Sequence, residues 1–407
     1  MWDIGQGAPL FRPDTRDPQA ALRALQRVCL DVSEAQVPEA RLSEARIVEQ
    51  LLAFIADDGA AIGSASGADE EAFNRMALAI FAHQFEHNLP YRRFATQRGR
   101  TVRTVRSWRD VPAVPISAFK ELTLTCRPPE DCERVFMTSG TTRGVRGKSH
   151  HPTMAVWDRS MTLNFRHRFM QNRERMRMGI LFPTEEAMPN SSLARYLALA
   201  LRTFGAEGSR YFIGDAGLDV DAATAELARA EETGEPYALL GASYSFVHLM
   251  DALRDRGRRF ALPAGSRILD TGGFKGQSRE MEADAFYDQL SGTFGVPRTA
   301  CINMYGMTEL STQFYDCGNE ACPSVKSGPH WIRSRVVNPL TGAEVPRGAV
   351  GVLVHHDLAH FNCASAILTE DAGIEVEDGF RLLGRADGAD AKGCSMAVEE
   401  FLKAVRV

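Results

Sequence analysis

Met137-Thr138-Ser139-Gly140-Thr141-Thr142-Arg143-Gly144 is a small, hydroxylated, glycine-rich stretch that follows the short apolar run Arg134–Met137. A strand that ends in such a loop can point several backbone N–H groups and hydroxyls at one anion, which is how proteins cradle phosphate groups. Arg143, Arg146 and Lys148 add positive charge. The stretch therefore predicts a phosphate-binding loop after a strand. The same residue types also form ordinary turns, so the loop alone leaves that alternative open.

The residues that follow this stretch can be compared with a P-loop. Gly147-Lys148-Ser149 matches the last three positions of that motif. A true P-loop has another glycine five residues before the glycine that precedes its lysine. Thr142 occupies that position, so the sequence excludes a P-loop and the GTPase and kinase-type NTPase classes that depend on it.

Four more short motifs follow in order along the chain. They are Leu269-Asp270-Thr271-Gly272-Gly273-Phe274, Asn303-Met304-Tyr305-Gly306-Met307-Thr308-Glu309-Leu310, Thr369-Glu370-Asp371 and Gly384-Arg385. Together with the phosphate loop, they resemble the adenylate-forming superfamily of acyl-CoA synthetases, luciferases and nonribosomal peptide adenylation domains. The resemblance implies an α/β fold and ATP-dependent activation of a carboxylic acid to an acyl-adenylate.

Two further segments narrow the resemblance. They are residues 114–120, Val-Pro-Ile-Ser-Ala-Phe-Lys, and residues 384–395, which include Gly393-Cys394-Ser395. With them, the chain is similar to the acyl-protein synthetases of bacterial bioluminescence, the long-chain-fatty-acid–luciferin-component ligase family. The similarity runs from about residue 73 to the C-terminus, and the first 70 or so residues carry no motif that can be placed.

The resemblance also implies a domain plan. It predicts a large domain of the adenylate-forming N-terminal type, with sandwiched sheets and a small β section, and without the usual C-terminal domain. We expect an N-terminal helical region over residues 1–98, an adenylate-forming core over 99–384, and a short tail over 385–407. The chain has 407 residues, so 22 follow Arg385, where related enzymes continue into a second domain with a catalytic lysine.

Nucleotide-binding residues follow from the same resemblance. The β- and γ-phosphates of ATP would meet the loop residues Thr138, Ser139, Gly140, Thr141 and Thr142. The backbone at Gly272 and Gly273 would approach the edge of the adenine, where a side chain would collide. Tyr305, followed by Gly306, would border the adenine ring.

The catalytic residues are implied in the same way. Thr308 and Glu309 would face the α-phosphate, with Glu309 as a ligand for Mg²⁺, a hard cation that prefers carboxylates and substrate phosphates. Asp371 would accept hydrogen bonds from the ribose hydroxyls. Arg385 would mark the family's hinge. Lys148 is a candidate for adding positive charge at the phosphates, although a solvated loop lysine is an equal alternative.

Two roles are left open by the short tail. Lys392 or Lys403 could replace the missing lysine, but nothing in the sequence decides between them. Cys394 matches the position at which the bioluminescence family accepts the acyl group as a thioester, and we expect its glycine and serine neighbours to keep it accessible. A purely structural cysteine is the alternative, and Cys363 is a second, weaker candidate. An acyl-CoA reductase-like or carrier protein is the implied partner.

Composition supports an enzyme of ordinary globular type. The chain is 44% hydrophobic and 24% charged, which is enough for a large core. The net charge is −5 and no basic stripe stands out, so nucleic acid is not an expected partner. There is no signal-peptide pattern and no long apolar run, which favours a cytoplasmic protein without a membrane span. The 8 cysteines contain no Cys-x-x-Cys pair and fit reduced thiols.

Periodicity gives a coarse outline of the fold. Residues 18–55 and 73–94 have helical spacing, with a Gly/Ala/Ser-rich break over 59–67. From residue 134 onward, short apolar runs alternate with helical stretches, which is typical of an α/β protein with a largely parallel sheet. Residues 331–384 contain short strands between turns, so we expect a small antiparallel or barrel-like section there.

Several alternatives remain at the sequence level. Cys317, Cys322 and His330 could bind zinc, but the pattern lacks a clear fourth ligand. His151 follows the phosphate loop and could reach the substrate pocket. The acid is expected to be a fatty or other medium-to-large carboxylic acid, with a pocket from residues around 240–275 and 300–310; its apolar or aromatic candidates are Tyr244, Phe246, Phe274 and Met304.

Two other functions are compatible with the motifs. One is an acyl- or aryl-CoA ligase of the phenylacetate–CoA ligase type, which would depend on CoA. The other is a non-catalytic nucleotide-binding protein, which would bind ATP without releasing pyrophosphate.

Overall fold

A six-stranded, mostly parallel sheet is formed by the middle part of the chain. The computed structural model describes residues 43–57, 67–139, 145–171, 173–274 and 277–406. The first sheet has six strands in the spatial order β11-β10-β9-β8-β4-β5, all parallel except β11. Its strands are β4 (Arg177–Leu181), β5 (Arg210–Tyr211), β8 (Tyr237–Ala242), β9 (Arg267–Thr271), β10 (Cys301–Tyr305) and β11 (Phe314–Tyr315). The predicted parallel α/β section is confirmed.

Helices cover both faces of this sheet, and the strand residues alternate between them. The connecting helices are α5 (Ala155–Phe165), α6 (Ser192–Phe204), α7 (Val220–Thr233), α8 (Ser243–Asp255) and α9 (Ala283–Phe294). Ile180 and Leu240 pack with α5 and α6 on one face, whereas Leu239 and Ile268 pack with α7, α8 and α9 on the other. Burial on both faces explains the continuous apolar runs that the sequence shows at these strands.

A second, mostly antiparallel sheet accounts for the C-terminal part of the chain. Its strands run in the order β12-β16-β15-β14-β13, with the short strand β1 added to β15 in parallel. They are β1 (Val114–Pro115), β12 (Val325–Lys326), β13 (Ile332–Val337), β14 (Val350–Asp357), β15 (Ala366–Val376) and β16 (Gly379–Arg385). The antiparallel section expected over residues 331–384 is therefore confirmed. A further small hairpin joins β6 (Ile213–Gly214) to β7 (Gly217–Leu218).

The phosphate-loop stretch lies on a hairpin of its own. Strands β2 (Arg134–Met137) and β3 (Lys148–His151) pair antiparallel, with Met137 opposite Lys148. We call residues 134–151 the phosphate-loop hairpin. Thr138 and Ser139 are part of the structure, whereas Gly140, Thr141, Thr142 and Arg143 lie outside the described residues.

Helices from both ends of the described chain pack on the second sheet. They are α2 (Gly67–His87), α3 (Leu89–Gln97), α4 (Ala118–Glu121) and α10 (Gly388–Arg406), whereas α1 (Glu44–Ala56) packs against α5 and α2. Phe81 and Phe94 share one core with Phe401 of α10, and burying a side chain of that size contributes roughly 1.5–3 kcal/mol. The tail predicted over 385–407 is thus mainly one amphipathic helix, docked on the sheet by its apolar residues.

The expected helix over 73–94 is in fact two helices. Asn88 ends α2 and caps α3, because its side-chain oxygen accepts a hydrogen bond from the Tyr91 N–H at 3.2 Å. Pro90 occupies the first turn of α3, where its missing N–H costs nothing. Of the expected helix over 18–55, residues 44–55 are helical and residues 18–42 lie outside the described part. No helix in the described part of the chain is long and apolar enough to cross a membrane.

Candidate active site

The base of the phosphate-loop hairpin packs directly against Glu309. The Thr138 N–H donates to the Gly147 carbonyl, and the Gly147 N–H donates to the Thr138 hydroxyl, each at 3.0 Å. A Cβ atom on Gly147 would lie 3.0 Å from Glu309 Oε1 and 3.2 Å from Thr138 Cγ2. A side chain here would press on the carboxylate and displace it by a few tenths of an ångström. The structure thus brings together two predicted site residues, Thr138 and Glu309, from segments far apart in the sequence.

The carboxyl group of Glu309 is buried, with only 3% of the residue exposed. Burial raises its pKa to about 7, against an ordinary 4.5, while a backbone hydrogen bond and the nearby positive charges of Lys120 and Arg385 lower it. A buried carboxyl group with a raised pKa favours cation binding, because the cation stabilises the ionised form that burial in the protein destabilises. Glu309 therefore fits the Mg²⁺ ligand that the sequence predicts, and Thr308 lies half-buried in the turn beside it.

Lys120 is a residue that the sequence reasoning missed. It lies on the short helix α4, and its Cγ atom is 3.6 Å from the point where a Gly147 Cβ would lie. Strand β1, just before α4, pairs with Ile367 and Leu368 of β15, and the Ile116 N–H donates to the Leu368 carbonyl at 2.9 Å. This pairing fixes α4 beside the site.

The ammonium group of Lys120 has no carboxylate within salt-bridge distance among the described residues, and its side chain is exposed. It is therefore available to an anionic ligand. The only sequence signal was its place at the end of the segment 114–120, which carried a resemblance but no role. Lys148, the lysine that was predicted, lies exposed on β3.

Three other predicted residues meet where the ends of β10 and β16 lie beside the middle of β15. The Tyr305 hydroxyl donates to Asp371 Oδ2 at 2.7 Å. Asp371 is the strand partner of Arg385, whose guanidinium lies 3.4 Å from Asp371 Oδ1 and 3.4 Å from Glu370 Oε2. Burial, and then the Asp371 charge, raise the pKa of Tyr305 well above its ordinary value, so the hydroxyl stays protonated and keeps donating.

Gly272 and Gly273 line a cavity at the carboxyl ends of β9 and β10. Apart from the chain neighbours, no atom of the described residues lies within 4 Å of where a Cβ would stand on either glycine, so their backbone faces open space. The cavity has an empty volume of about 650 Å³. Its walls include Phe274 and Phe286, and its floor includes Asp270 and Asn303.

The cavity floor is polar and firmly hydrogen-bonded. The carboxylate of Asp270 accepts hydrogen bonds from the Ser243 hydroxyl at 2.7 Å, the Asn303 amide at 2.9 Å and the Tyr287 hydroxyl at 3.0 Å. Burial raises the pKa of Asp270 to about 6. Phe274 lines the cavity as expected for an apolar wall, whereas Phe246 is completely buried in the core beneath the sheet.

Cys394 lies on α10 and is only 4% exposed. Its thiol points at the Thr369 carbonyl, 3.7 Å away, and packs among apolar residues of the second sheet such as Val352 and Leu368. A Cβ on Gly393 would lie 2.8 Å from Pro339 Cγ, so the glycine serves close packing. The expectation that glycine and serine keep Cys394 accessible is therefore wrong, because tertiary contacts override the local composition.

The fold nevertheless places Cys394 near Asp371, one of the residues predicted to bind the nucleotide. Thr369, whose carbonyl faces the thiol, also accepts a hydrogen bond from the Asp371 N–H at 3.1 Å. Lys392 and Lys403 are exposed on the same helix, and neither is among the cations that act on Glu309.

The remaining candidates are not assembled into sites. Cys363 is fully buried, accepts a hydrogen bond from the His150 N–H at 3.3 Å, and has its pKa raised to about 12 by burial, so it stays a thiol. His151 is buried beneath the hairpin and does not face the cavity.

The zinc hypothesis receives no support from the geometry. His330 lies against Phe54, with its Nε2 atom 2.7 Å from the Phe54 carbonyl, while Cys322 contacts Arg298. Across the part of the chain that the structure describes, no group of three or more His, Cys, Asp or Glu side chains converges on a metal position.

Comparison with known proteins places this geometry in a family. The model of the family described as "Acyl-protein synthetase, LuxE" matches residues 55–403. The chain is 23% identical over 343 residues to the long-chain-fatty-acid–luciferin-component ligase of Vibrio harveyi, covering 81% of this chain and 88% of that protein. The ligase of the same name from Aliivibrio fischeri is 20% identical over 347 residues, covering 82% and 89%.

A solved structure agrees on the fold. The 2-hydroxyisobutyryl-CoA ligase in its postadenylation state, in complex with 2-HIB-AMP, is 16% identical and has a TM-score of 0.57, with 87% of this chain and 73% of that chain covered. Because the family model spans most of the chain, this protein belongs to the acyl-protein synthetase LuxE family, and its fold is shared with the 2-hydroxyisobutyryl-CoA ligase.

Proposed function

We propose that this enzyme uses ATP to convert a carboxylic acid into an acyl-adenylate and then transfers the acyl group to the thiol of Cys394. The observation that carries the proposal is the convergence of the phosphate-loop hairpin, buried Glu309 and Lys120, which has no ion pair among the described residues, at one point. Negative charge builds up at that point when pyrophosphate departs, and fixed positive and metal-binding groups stabilise it.

The adenylation step needs three groups held in line. An oxygen of the substrate carboxylate forms a bond to the α-phosphorus of ATP, while the bond from that phosphorus to the pyrophosphate oxygen breaks. Thr138, Ser139, Gly140, Thr141 and Thr142 hold the outgoing phosphates through N–H and hydroxyl groups. Mg²⁺, when bound by Glu309, would neutralise phosphate charge during this displacement. Thr308 lies beside the same α-phosphate.

Lys120 supplies the positive charge that related enzymes take from a second domain. It acts on the same carboxylate as Arg385, it belongs to an element fixed to β15, and it carries no ion pair in the described structure. Lys148 adds weaker, solvent-screened charge from the exposed side of the hairpin.

The nucleoside lies between the cavity and the second sheet. The open backbone at Gly272 and Gly273 meets the adenine edge, with Tyr305 and Gly306 bordering the ring. Asp371 accepts hydrogen bonds from the ribose hydroxyls, and Arg385 holds that carboxylate in place at the end of β16.

The transfer step uses the cysteine thiolate as nucleophile. Its sulfur forms a bond to the acyl carbon, the bond from that carbon to the AMP oxygen breaks, AMP leaves, and the thiol proton passes to water or a base. The acyl group can then move on to an acyl-CoA reductase-like or carrier protein. We place the enzyme in the cytoplasm, where its thiols remain reduced.

The acid is proposed to be a fatty or other medium-to-large carboxylic acid. The named substrate of the two Vibrio-type relatives supports a fatty acid, and the apolar side of the cavity near Phe274 is compatible with one. We assign the adenylation chemistry to residues 99–384 and the transfer chemistry to the tail over 385–407.

The burial of Cys394 favours one alternative, in which the acyl group passes directly to an external thiol such as that of CoA. Pyrophosphate release across a panel of fatty, aryl and amino acids, followed by the intact mass of the protein, separates the two. Release with one acid class and a mass gain of one acyl group supports the proposal. Release that yields an acyl-CoA without any mass gain supports the CoA ligase. ATP binding without release for any acid would favour a non-catalytic nucleotide-binding protein.

A further inference from the structure

A row of buried hydrogen bonds lies directly behind the phosphate-loop hairpin. Ser149, two residues after Gly147 on β3, is completely buried. Its hydroxyl oxygen lies 3.2 Å from His151 Nε2 and 3.4 Å from His360 Nε2. The other ring nitrogen of His360, Nδ1, lies 3.0 Å from the hydroxyl oxygen of Ser311. One imidazole ring therefore spans from the hairpin to the segment that follows Glu309.

The numbers of donors and acceptors limit how the groups in this row can pair. A serine hydroxyl has one hydrogen to donate, and a neutral imidazole has one donor and one acceptor nitrogen. The Ser149 hydroxyl bridges the two imidazole rings, and the Cys363 sulfur, 4.0 Å from its oxygen, is a third hydrogen-bond partner. Burial lowers the pKa of His360 to about 3 and that of His151 well below its ordinary value, so both rings are neutral.

The segment that carries His360 is itself held rigidly. The carboxylate of Asp357 accepts hydrogen bonds from the N–H groups of Ser311 and Thr312 at 2.7 and 2.8 Å, and from the Thr312 hydroxyl at 2.7 Å. On the far side, Gln84 of α2 donates to the Phe361 carbonyl at 2.8 Å. His360 is thus a fixed strut and not a flexible side chain.

We propose that His360 is a positioning residue that sets the spacing between the phosphate-loop hairpin and Glu309. The inference rests on the adenylation function proposed above. Glu309 and Gly147 are in tight contact, because a Cβ on Gly147 would lie only 3.0 Å from Glu309 Oε1. The β- and γ-phosphates on the hairpin and the α-phosphate at Glu309 must align for displacement, and a shift of about 1 Å can lower a rate about 100-fold.

Two substitutions separate the two halves of the strut. In His360→Asn the amide replaces Nδ1 and keeps the bond to Ser311, whereas in His360→Gln the longer amide replaces Nε2 and keeps the bond to Ser149. If the ring acts as a spacer, each variant loses one end. We expect the kcat of acid-dependent pyrophosphate release to fall about 10- to 100-fold in both, with the KM for ATP changed less than about threefold.

A matched control is His356→Asn. His356 is also fully buried and neutral, but it lies against Trp108 and accepts a hydrogen bond from Arg335 away from the site. It should lower the melting temperature in a similar way and leave kcat per folded molecule close to that of the wild type. A second check is Ser311→Ala, which should reproduce the loss seen in His360→Gln and add little to it in the double variant.

The outcomes are distinguishable. If either His360→Asn or His360→Gln retains wild-type kcat, or if both lower only stability or only the affinity for ATP, the spacing role is wrong. If the His360 variants fail to fold, Ser149→Ala and Ser311→Ala carry the test with the same expected loss of kcat. A wild-type protein that releases no pyrophosphate with any acid would instead overturn the proposed function on which the inference rests.

Discussion

Glu309 and Cys394 are equally hidden from solvent, at 3% and 4% exposure, but their surroundings are opposite. Glu309 has the phosphate-loop hairpin against it and the charges of Lys120 and Arg385 nearby. Cys394 has the Thr369 carbonyl and several apolar side chains around it, and its neighbour Gly393 packs against Pro339. The surroundings of Glu309 suit a charged ligand, whereas the side chains that pack around Cys394 are mainly apolar. On the function proposed above, the comparison implies that the adenylation residues are already assembled, whereas an acyl group would reach Cys394 only after α10 or the Pro339 turn moved.

The largest expected loss of activity comes from substituting Glu309. Glu309→Gln removes the carboxylate that would bind Mg²⁺ and leaves a similar shape, so pyrophosphate release should fall on the order of 100- to 1000-fold. The matched control is Glu370→Gln, a partly exposed neighbour that should retain most of the activity. If Glu309→Gln kept the wild-type kcat, Glu309 would have no role in adenylation.

Lys120 gives the next largest effect. Lys120→Met keeps the aliphatic stem and removes the charge, so we expect pyrophosphate release to fall about 10- to 100-fold. Lys392→Met and Lys403→Met test the two tail lysines in the same assay and should stay near wild type. A loss in either tail variant, with Lys120→Met unaffected, would reverse the assignment.

The pH profile of adenylation sharpens the same comparison. Glu309 must lose its proton to bind a cation, and its pKa is raised to about 7. Pyrophosphate release at low Mg²⁺ should therefore fall as pH drops below about 7, approaching tenfold per pH unit. Glu370→Gln should move the midpoint to lower pH, since the Glu370 charge raises the Glu309 pKa. A profile that is flat between pH 5 and 8 would contradict this account.

The free energy of unfolding should also depend on the protonation of Glu309, but it should decrease as pH rises, whereas adenylation increases. The folded state holds the Glu309 proton more tightly than the unfolded chain does, so this contribution favours folding below pH 4.5, the ordinary value, and is lost as pH rises toward 7. In Glu309→Gln this contribution should vanish from the pH dependence of the free energy of unfolding, as measured by urea denaturation.

The smallest effect concerns the packing around Cys394. Gly393→Ala places a Cβ against Pro339 and should lower stability by about 1–3 kcal/mol through overpacking. Displaced packing should also speed labelling of Cys394 by a thiol reagent, with adenylation unchanged. Gly292→Ala is the matched control, because a Cβ there meets open space and its helix α9 should gain slightly. Unchanged labelling in Gly393→Ala would mean that this contact does not limit access.

The sequence predicted the fold better than the site. Alternating strands and helices gave the parallel sheet, and the order of the motifs gave the family, because both signals are local. The motifs assigned Tyr305 and Asp371 to one nucleotide, and the hydrogen bond between the two side chains is a finding of the structure. Lys120 was not implied by the motifs, because its place depends on the pairing of β1 with β15 across most of the chain. The burial of Cys394 and the strut at His360 depend in the same way on distant partners, which composition near these residues does not reveal.

The most direct test of the central claim is a single-turnover experiment on the wild type and Cys394→Ser, with pyrophosphate release and intact mass measured on the same samples. We predict that both proteins release pyrophosphate to a similar extent, and that only the wild type gains the mass of one acyl group. Loss of pyrophosphate release in Cys394→Ser, or an equal acyl mass gain in both proteins, would contradict an assembled adenylation site that hands its product to a separate buried thiol.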